Sequence, residues 1–250
     1  STSSNNNLNI YGSLTLESSV GWMTGGAFTT HFLAATSGNT ITSAGCIFNE
    51  DVYFEGTGSY TFLDAFSTGS NDYIRHRAGT LNTNDQTLDI YALRSGNGSN
   101  NYATRTLNLG SSTINCSFQW SVYASGLTLN AGSSVINIIN SNSYVTNSPG
   151  IIGTYQISYN TINFTSTTGT SAFYSQYSSS SSNVATTVNN LSFSAGGELD
   201  GNNTIGTLNL SPNATYELES GRTQTITTAL NVPGTCAGNI TIQSSTAGTQ

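Results

Sequence analysis

Apolar residues alternate with polar ones in short runs along almost the whole chain. In LNIYGSLTLESSV, Leu14 and Leu16 fall on one side and Thr15 and Glu17 on the other. The same alternation returns in DVYFEG, SYTFLDAF, QTLDIYAL, YQISYNTINF and QTITTALNV. Such runs, rich in Thr, Val, Ile, Leu, Tyr and Phe and bounded by Gly, Asn or Ser, are half-buried β-strands separated by turns. No apolar stripe of helical period extends beyond two turns, so helix content is expected to be very low. Pro149, Pro212 and Pro233 all fall between the runs, where a missing N–H does least harm.

The runs also repeat. Leu107 to Asn115 reads LNLGSSTIN and Leu127 to Asn137 reads LTLNAGSSVIN, so Gly110-Ser-Ser-Thr-Ile-Asn is matched by Gly132-Ser-Ser-Val-Ile-Asn. Looser copies are GSLTLESSV, GTLNTNDQTLDIY from Gly79 and GTLNLSPNATYELESG from Gly206. Units recurring every ~20–25 residues predict a solenoid, in which each coil buries its apolar side only by stacking on the next. The expected fold is all-β, a right-handed parallel β-helix of about ten to twelve coils with backbone pairing along the axis at about 4.8 Å, a rod of about 50 Å. An antiparallel β-sandwich is the alternative. The chain reads as one solenoid segment, residues 1–250, with loop excursions near 21–39, 67–79, 140–153 and 175–183. Asn and Gly suit turns that need positive φ, and stacked Asn or Ser at equivalent corners can form side-chain ladders.

Composition excludes several classes. Ser 38, Thr 38, Asn 30 and Gly 26 make up more than half of the 250 residues, yet recurrent apolar residues argue against disorder. There is no Lys, and five Arg against twelve acidic residues leave a net charge of −7, which excludes a basic nucleic-acid-binding stripe. No apolar run approaches the ~20 residues of a membrane-spanning helix, so no membrane insertion is expected. Cys46, Cys116 and Cys236 are far apart, lack metal-site spacing and read as small buried residues. A polar, weakly charged, lysine-free surface points to an extracellular protein. The opening STSSNNNLNIYG has neither a basic nor an apolar leader region, so the chain is expected to be mature or an excerpt.

TRTLNLGSSTIN, the Trp-bearing SFQWSVYASG, LTLNAGSSVINI and GTLNLSPNATYELESGRTQTITTALNVPGTCAGNITIQSS together resemble the repeat regions of large secreted surface proteins of Bacteroidetes-type bacteria, adhesins and gliding-type filaments among them. The resemblance covers about half of the chain well. It implies export to the cell surface by a type IX-like route and a role in adhesion or as a filament. The sequence departs from that pattern in having no C-terminal sorting domain and in stopping at Gln250 directly after a strand-like run, which reads as a segment of a longer protein.

Candidate chemistry is sparse. Asp64, Asp72, Arg75, His76 and Arg77 are the one concentration of titratable groups. They form no paired-acid motif and no nucleophile–base pair at a recognisable spacing, so they read as a solvated loop of mixed charge, and no catalytic residue is expected. His31 reads as structural. Asn71, Asp72, Asn82 and Asp85 could serve calcium, but they match neither an EF-hand nor a glycine–aspartate nonapeptide; no cofactor is expected, with Ca²⁺ left open. Period-two Thr could form an ice- or crystal-binding face, but such a face needs the same Thr column on many coils, and the coils here vary in length and interleave Asn, Ser and Tyr. For glycans, Trp22, Trp120, Tyr60, Tyr73, Tyr123, Tyr144, Tyr155, Tyr174 and Tyr177 are stacking candidates, of which many must be core. Asn97, Asn115, Asn163, Asn190, Asn202, Asn213 and Asn239 head glycosylation triplets that arise by chance in so Ser/Thr-rich a chain. The expected function is a structural or adhesive segment of a bacterial surface protein, partnered by surface polysaccharides, solid surfaces or neighbouring solenoid segments. A polysaccharide-active enzyme or glycan-binding module on the same scaffold is the alternative.

Overall fold

The computed structural model describes residues 6–18, 28–96, 103–148, 154–175, 183–233 and 238–246. Among them there is no helix, and the strands stack in parallel as a β-solenoid of about 9 turns. Pairing throughout is parallel, as in Leu81 with Leu107 and Ile162 with Leu191, which removes the antiparallel sandwich. The turns are fewer than the expected ten to twelve, and coil length varies widely. Asn209 bonds Ser192 one coil back across 17 residues, whereas Asn189 reaches Asn160 across 29. The chain divides into two compact units, Ser1–Cys116 with Gly126–Ser134, and Ser117–Ser125 with Val135–Gln250.

The first unit is built from three ladders. One holds β2 (Leu14–Thr15), β4 (Asn39–Thr42), β7 (Ser59–Phe62), β10 (Gly79–Asn82), β12 (Arg105–Asn108) and β14 (Leu127–Asn130). A second holds β1 (Asn6–Ile10), β3 (Phe28–Phe32), β6 (Asp51–Phe54), β9 (Tyr73–His76) and the latter half of β11 (Thr87–Ser95). The third holds β5 (Ile47–Phe48), β8 (Phe66–Thr68) and the first half of β11. Alternation sends every second side chain inward, and register places like residues over one another. Val52 lies on Ile74, Leu81 on Leu107, and Phe32 on Phe54 with ring centroids 4.9 Å apart and planes 7° from parallel. Strand spacing is thus also an aromatic stacking distance, and the core is a set of axial columns.

The corners explain the repeated glycines and two acids. Gly132 has φ 57°, and a Cβ there would meet the Gly110 carbonyl oxygen at 2.3 Å, so stacked turns leave no room for a side chain. The Asp85 carboxylate accepts the Ser111 N–H at 2.6 Å, closing the same turn stack from the other side. Asp64 does likewise for the turn one coil back, accepting the N–H groups of Ser43 (2.7 Å) and Ala44 (2.6 Å).

The second unit contains Ser117–Ser125, hence the latter part of β13 (Thr113–Tyr123), with β15 (Val135–Ile138), β16 (Tyr144–Ser148), β17 (Thr154–Phe164), β18 (Thr170–Tyr174), β19 (Asn183–Phe193), β20 (Gly196–Asp200), β21 (Asn203–Asn209), β22 (Thr215–Leu218), β23 (Gln224–Asn231) and β24 (Thr241–Ser244). Here too columns form: Ile136, Ile162, Leu191 and Leu208 are in register, and Phe164 stacks on Phe193 at 4.6 Å. Its interior also holds a polar chain. The Trp120 Nε1–H donates to the Tyr159 hydroxyl (3.2 Å), which donates to Asn147 Oδ1 (2.7 Å), while Asn147 Nδ2 donates to Thr186 (3.3 Å). All four side chains are buried, so each must find its partner inside.

Parts of several expected excursions are rungs. Within 67–79 the strands β8 and β9 pair with neighbouring coils around a turn at 69–72, within 21–39 β3 does so over Phe28–Phe32, and within 140–153 β16 does so over Tyr144–Ser148. Their apolar residues alternate in phase with the coils before and after, which is what draws them into the ladder. Residues 19–27, 149–153 and 176–182, with Trp22 and Tyr177, lie outside the described residues, as do Cys236 and Asn97. Cys46 and Cys116 are buried.

Candidate functional site

Of the charged residues singled out from sequence, Arg75 and Arg77 lie on the outer face of the second ladder, joined there by other charged and aromatic side chains. Register aligns His31, Tyr53, Arg75 and Arg94 in one column, and Thr29, Asp51 and Tyr73 in the next. Arg75 Nε donates to Asp51 Oδ2 at 2.7 Å, and Asp51 Oδ1 also accepts the Tyr73 N–H at 2.8 Å. Arg77 Nη1 and His31 Nδ1 both meet Glu55, at 2.5 and 2.7 Å. Burial pushes the Glu55 carboxyl up, but the hydrogen bonds from His31 and Arg77 outweigh it and hold it below the usual carboxylate range. The tyrosine faces are covered: His31 stacks on Tyr53 at 4.6 Å, Arg77 lies 4.5 Å from the same ring, and Arg75 lies 4.6 Å from Tyr73. This is an interlocked cation–π and ion-pair sheet, not a free loop, and its aromatic faces are not open platforms.

His76 is separated from its sequence neighbours. Arg75 and Arg77 point outward, whereas His76 shares the inward phase of Ile74 and is fully buried. Its Nε2 lies 3.2 Å from the Gly79 carbonyl and its Nδ1 3.3 Å from Ser95 Oγ. A carbonyl can only accept, so Nε2 carries the proton and Nδ1 accepts from Ser95. Ser95 Oγ in turn accepts from Nε of Arg105 (2.9 Å), a buried guanidinium that sequence reasoning missed. The alternation in Arg105-Thr-Leu107-Asn-Leu109 carries the signal, since Arg105 has the phase of two core leucines.

A second grouping lies on the outer face of the second unit. Glu198 and Glu217 are register partners, and Asp200 and Glu219 follow in the adjacent positions. Burial, then the charges of Glu219, Glu198 and Glu217, raise Asp200 to about 6. Tyr174 donates to Glu198 Oε2 at 3.1 Å, and Gly201 N–H to Glu219 Oε2 at 2.7 Å. Among the described residues, no group of three or more His, Cys, Asp or Glu side chains is placed to hold a metal ion. Of the four calcium candidates, Asp85 closes a turn, Asn82 belongs to a side-chain ladder, and Asn71 turns the chain at φ 78° ahead of Asp72.

The aromatic candidates divide by burial. Tyr60 and Trp120 are core: the Tyr60 hydroxyl donates to the Ile10 carbonyl (3.1 Å) and accepts the Ala34 N–H (3.0 Å). Tyr73, Tyr123, Tyr144, Tyr155 and Tyr174 are half-buried. Asn163, Asn190 and Asn202 spend their amides on neighbouring coils, with Asn137, Thr161 and the Thr223 N–H. Fold and sites together define the class, an all-β parallel solenoid. No family model, curated protein or solved structure matches the chain.

Proposed function

We propose that the chain is a structural and adhesive segment of an extracellular bacterial surface protein, a stiff scaffold that meets polysaccharides or solid surfaces with its outer faces. The carrying observation is how its titratable residues are used. Asp64 and Asp85 close turns of neighbouring coils, Asp51 and Glu55 clamp Arg75 and Arg77 across rungs, and His76 is sealed in the core. These groups fasten coil to coil. The likeness of residues 104–138 and 206–250 to secreted surface repeats supports the same reading. The test is adsorption to polysaccharide-coated and bare solid supports under flow, alongside incubation with acidic polysaccharides with and without Ca²⁺. Adsorption without turnover is expected. Turnover that disappears in Asp72→Ala or Arg75→Ala would replace this reading with an enzyme on the same scaffold.

A further inference from the structure

We propose that the outer face of the β4–β7–β10–β12–β14 ladder binds ice, the solid that a surface-binding scaffold of this kind would hold through an ordered layer of water. The inference rests on the surface-binding reading and names the surface. Two outward columns run through this face. One consists of Ser59, Thr80, Thr106 and Thr128, the other of Thr40, Thr61, Asn82, Asn108 and Asn130. The central rungs read Thr-Leu-Asn three times over, with the leucine turned inward.

Variable coil length argued against such a face from sequence alone. The spacing from rung to rung is indeed 21, 26 and 22 residues at the Asn column. Yet register across these pairings is continuous, with no shift from rung to rung. The outward side chains therefore form a two-dimensional lattice, with a repeat of about 4.8 Å along the axis and about 6.8 Å along each strand.

The lattice is held rigid. Asn82 Nδ2 donates to Thr61 Oγ1 (3.0 Å), Asn108 Nδ2 to Asn82 Oδ1 (2.5 Å) and Asn130 Nδ2 to Asn108 Oδ1 (2.7 Å). Each amide keeps a second N–H for solvent. Among the described residues, the hydroxyls of Thr80, Thr106 and Thr128 have no protein partner, so they too are offered to water. No outward position in the two columns is charged, in a chain of net charge −7. A charge would orient nearby water radially and break an ice-like layer, whereas Thr pairs a hydroxyl with a methyl whose hydration shell it anchors. The columns also contain no aromatic ring, the group that would be needed to stack on crystalline sugar. A pre-ordered, neutral, regularly spaced surface gains affinity by lowering the ordering cost on binding.

The test is partition of the 250-residue chain into a slowly grown ice hemisphere, together with thermal hysteresis and crystal shape. Wild type is expected to concentrate in the ice and facet the crystals. Thr106→Tyr, which puts a large ring in mid-face, is expected to lower ice partition at least tenfold. Thr128→Tyr should do the same at the exposed rung, and Thr225→Tyr, an exposed strand position in the second unit, should leave partition unchanged. Circular dichroism checks that each variant is folded. Exclusion of wild type from ice, or equal partition by folded Thr106→Tyr, overturns the proposal. So does retention on microcrystalline cellulose or chitin that Thr106→Tyr abolishes while ice is unaffected, which would assign the face to crystalline glycan. Adsorption under flow with no ice activity would remove this inference and leave the surface-scaffold reading standing.

Discussion

His76 makes the stability of the first unit depend on pH in a definite direction. Burial, then the nearby Arg105 charge, outweigh the hydrogen bond to Gly79 and lower the imidazole from 6.5 to about 4. The unfolded chain takes up a proton near pH 6.5, while the folded one resists until about pH 4. Between these values the unfolded state binds more protons, so stability falls as pH is lowered, by about 2–3 kcal/mol at pH 4.5. Asp200 acts in the opposite sense. Its raised pKa makes protonation below about pH 6 favour the folded state, and its part-exposed position weakens the effect. Comparing wild type with His76→Gln at pH 7.5 and 4.5 cancels the Asp200 contribution, since both chains carry it. In urea unfolding, the wild-type advantage over His76→Gln should shrink by about 2–3 kcal/mol at the lower pH. An unchanged advantage, or an NMR titration of His76 with its midpoint near 6.5, would refute the sealed, neutral imidazole.

Core, network and turn each give a further expectation. Leu109→Asp or Ile136→Asp buries an unpaired carboxylate at a fully enclosed position and should unfold the adjoining coils, seen as loss of β-signal or a melt many degrees lower; an unaltered melt would contradict the inward assignment. Tyr159→Phe leaves the Trp120 N–H and Asn147 Oδ1 without their partner and should cost about 1–3 kcal/mol for each group in chemical denaturation, so a neutral result would mean the chain of bonds is not formed. Gly132→Ala combines positive φ with a 2.3 Å approach to the Gly110 carbonyl and should destabilise by about 1–3 kcal/mol, whereas Ser133→Ala one residue on should cost much less.

Much of this was legible because alternation has only two phases. Once Ile74 is taken as inward, Arg75 must point out and His76 in, and Leu107 and Leu109 commit Arg105 to the interior in the same way. Reading the charged stretch as a loop overlooked that phase. The matching GSS turns of Gly110 and Gly132 likewise announced equivalent corners, and the structure stacks them, Ser133 N–H on the Gly110 carbonyl at 2.8 Å. What each inward polar group would meet was not legible. The Trp120–Tyr159–Asn147–Thr186 chain bonds partners up to 39 positions apart, and no local pattern pairs them.

The sequence by itself determined that the chain forms short strands with one apolar side, closed by turns that need Gly and Asn, because side-chain period and backbone sterics act within a few residues. The tertiary structure decided which rung lies on which. Coils of unequal length can be brought into register in more than one way, and only the packing of the Leu and Phe columns selects among them. That choice turned scattered threonines and asparagines into a regular surface, and gathered charges remote in sequence into one interlocked sheet.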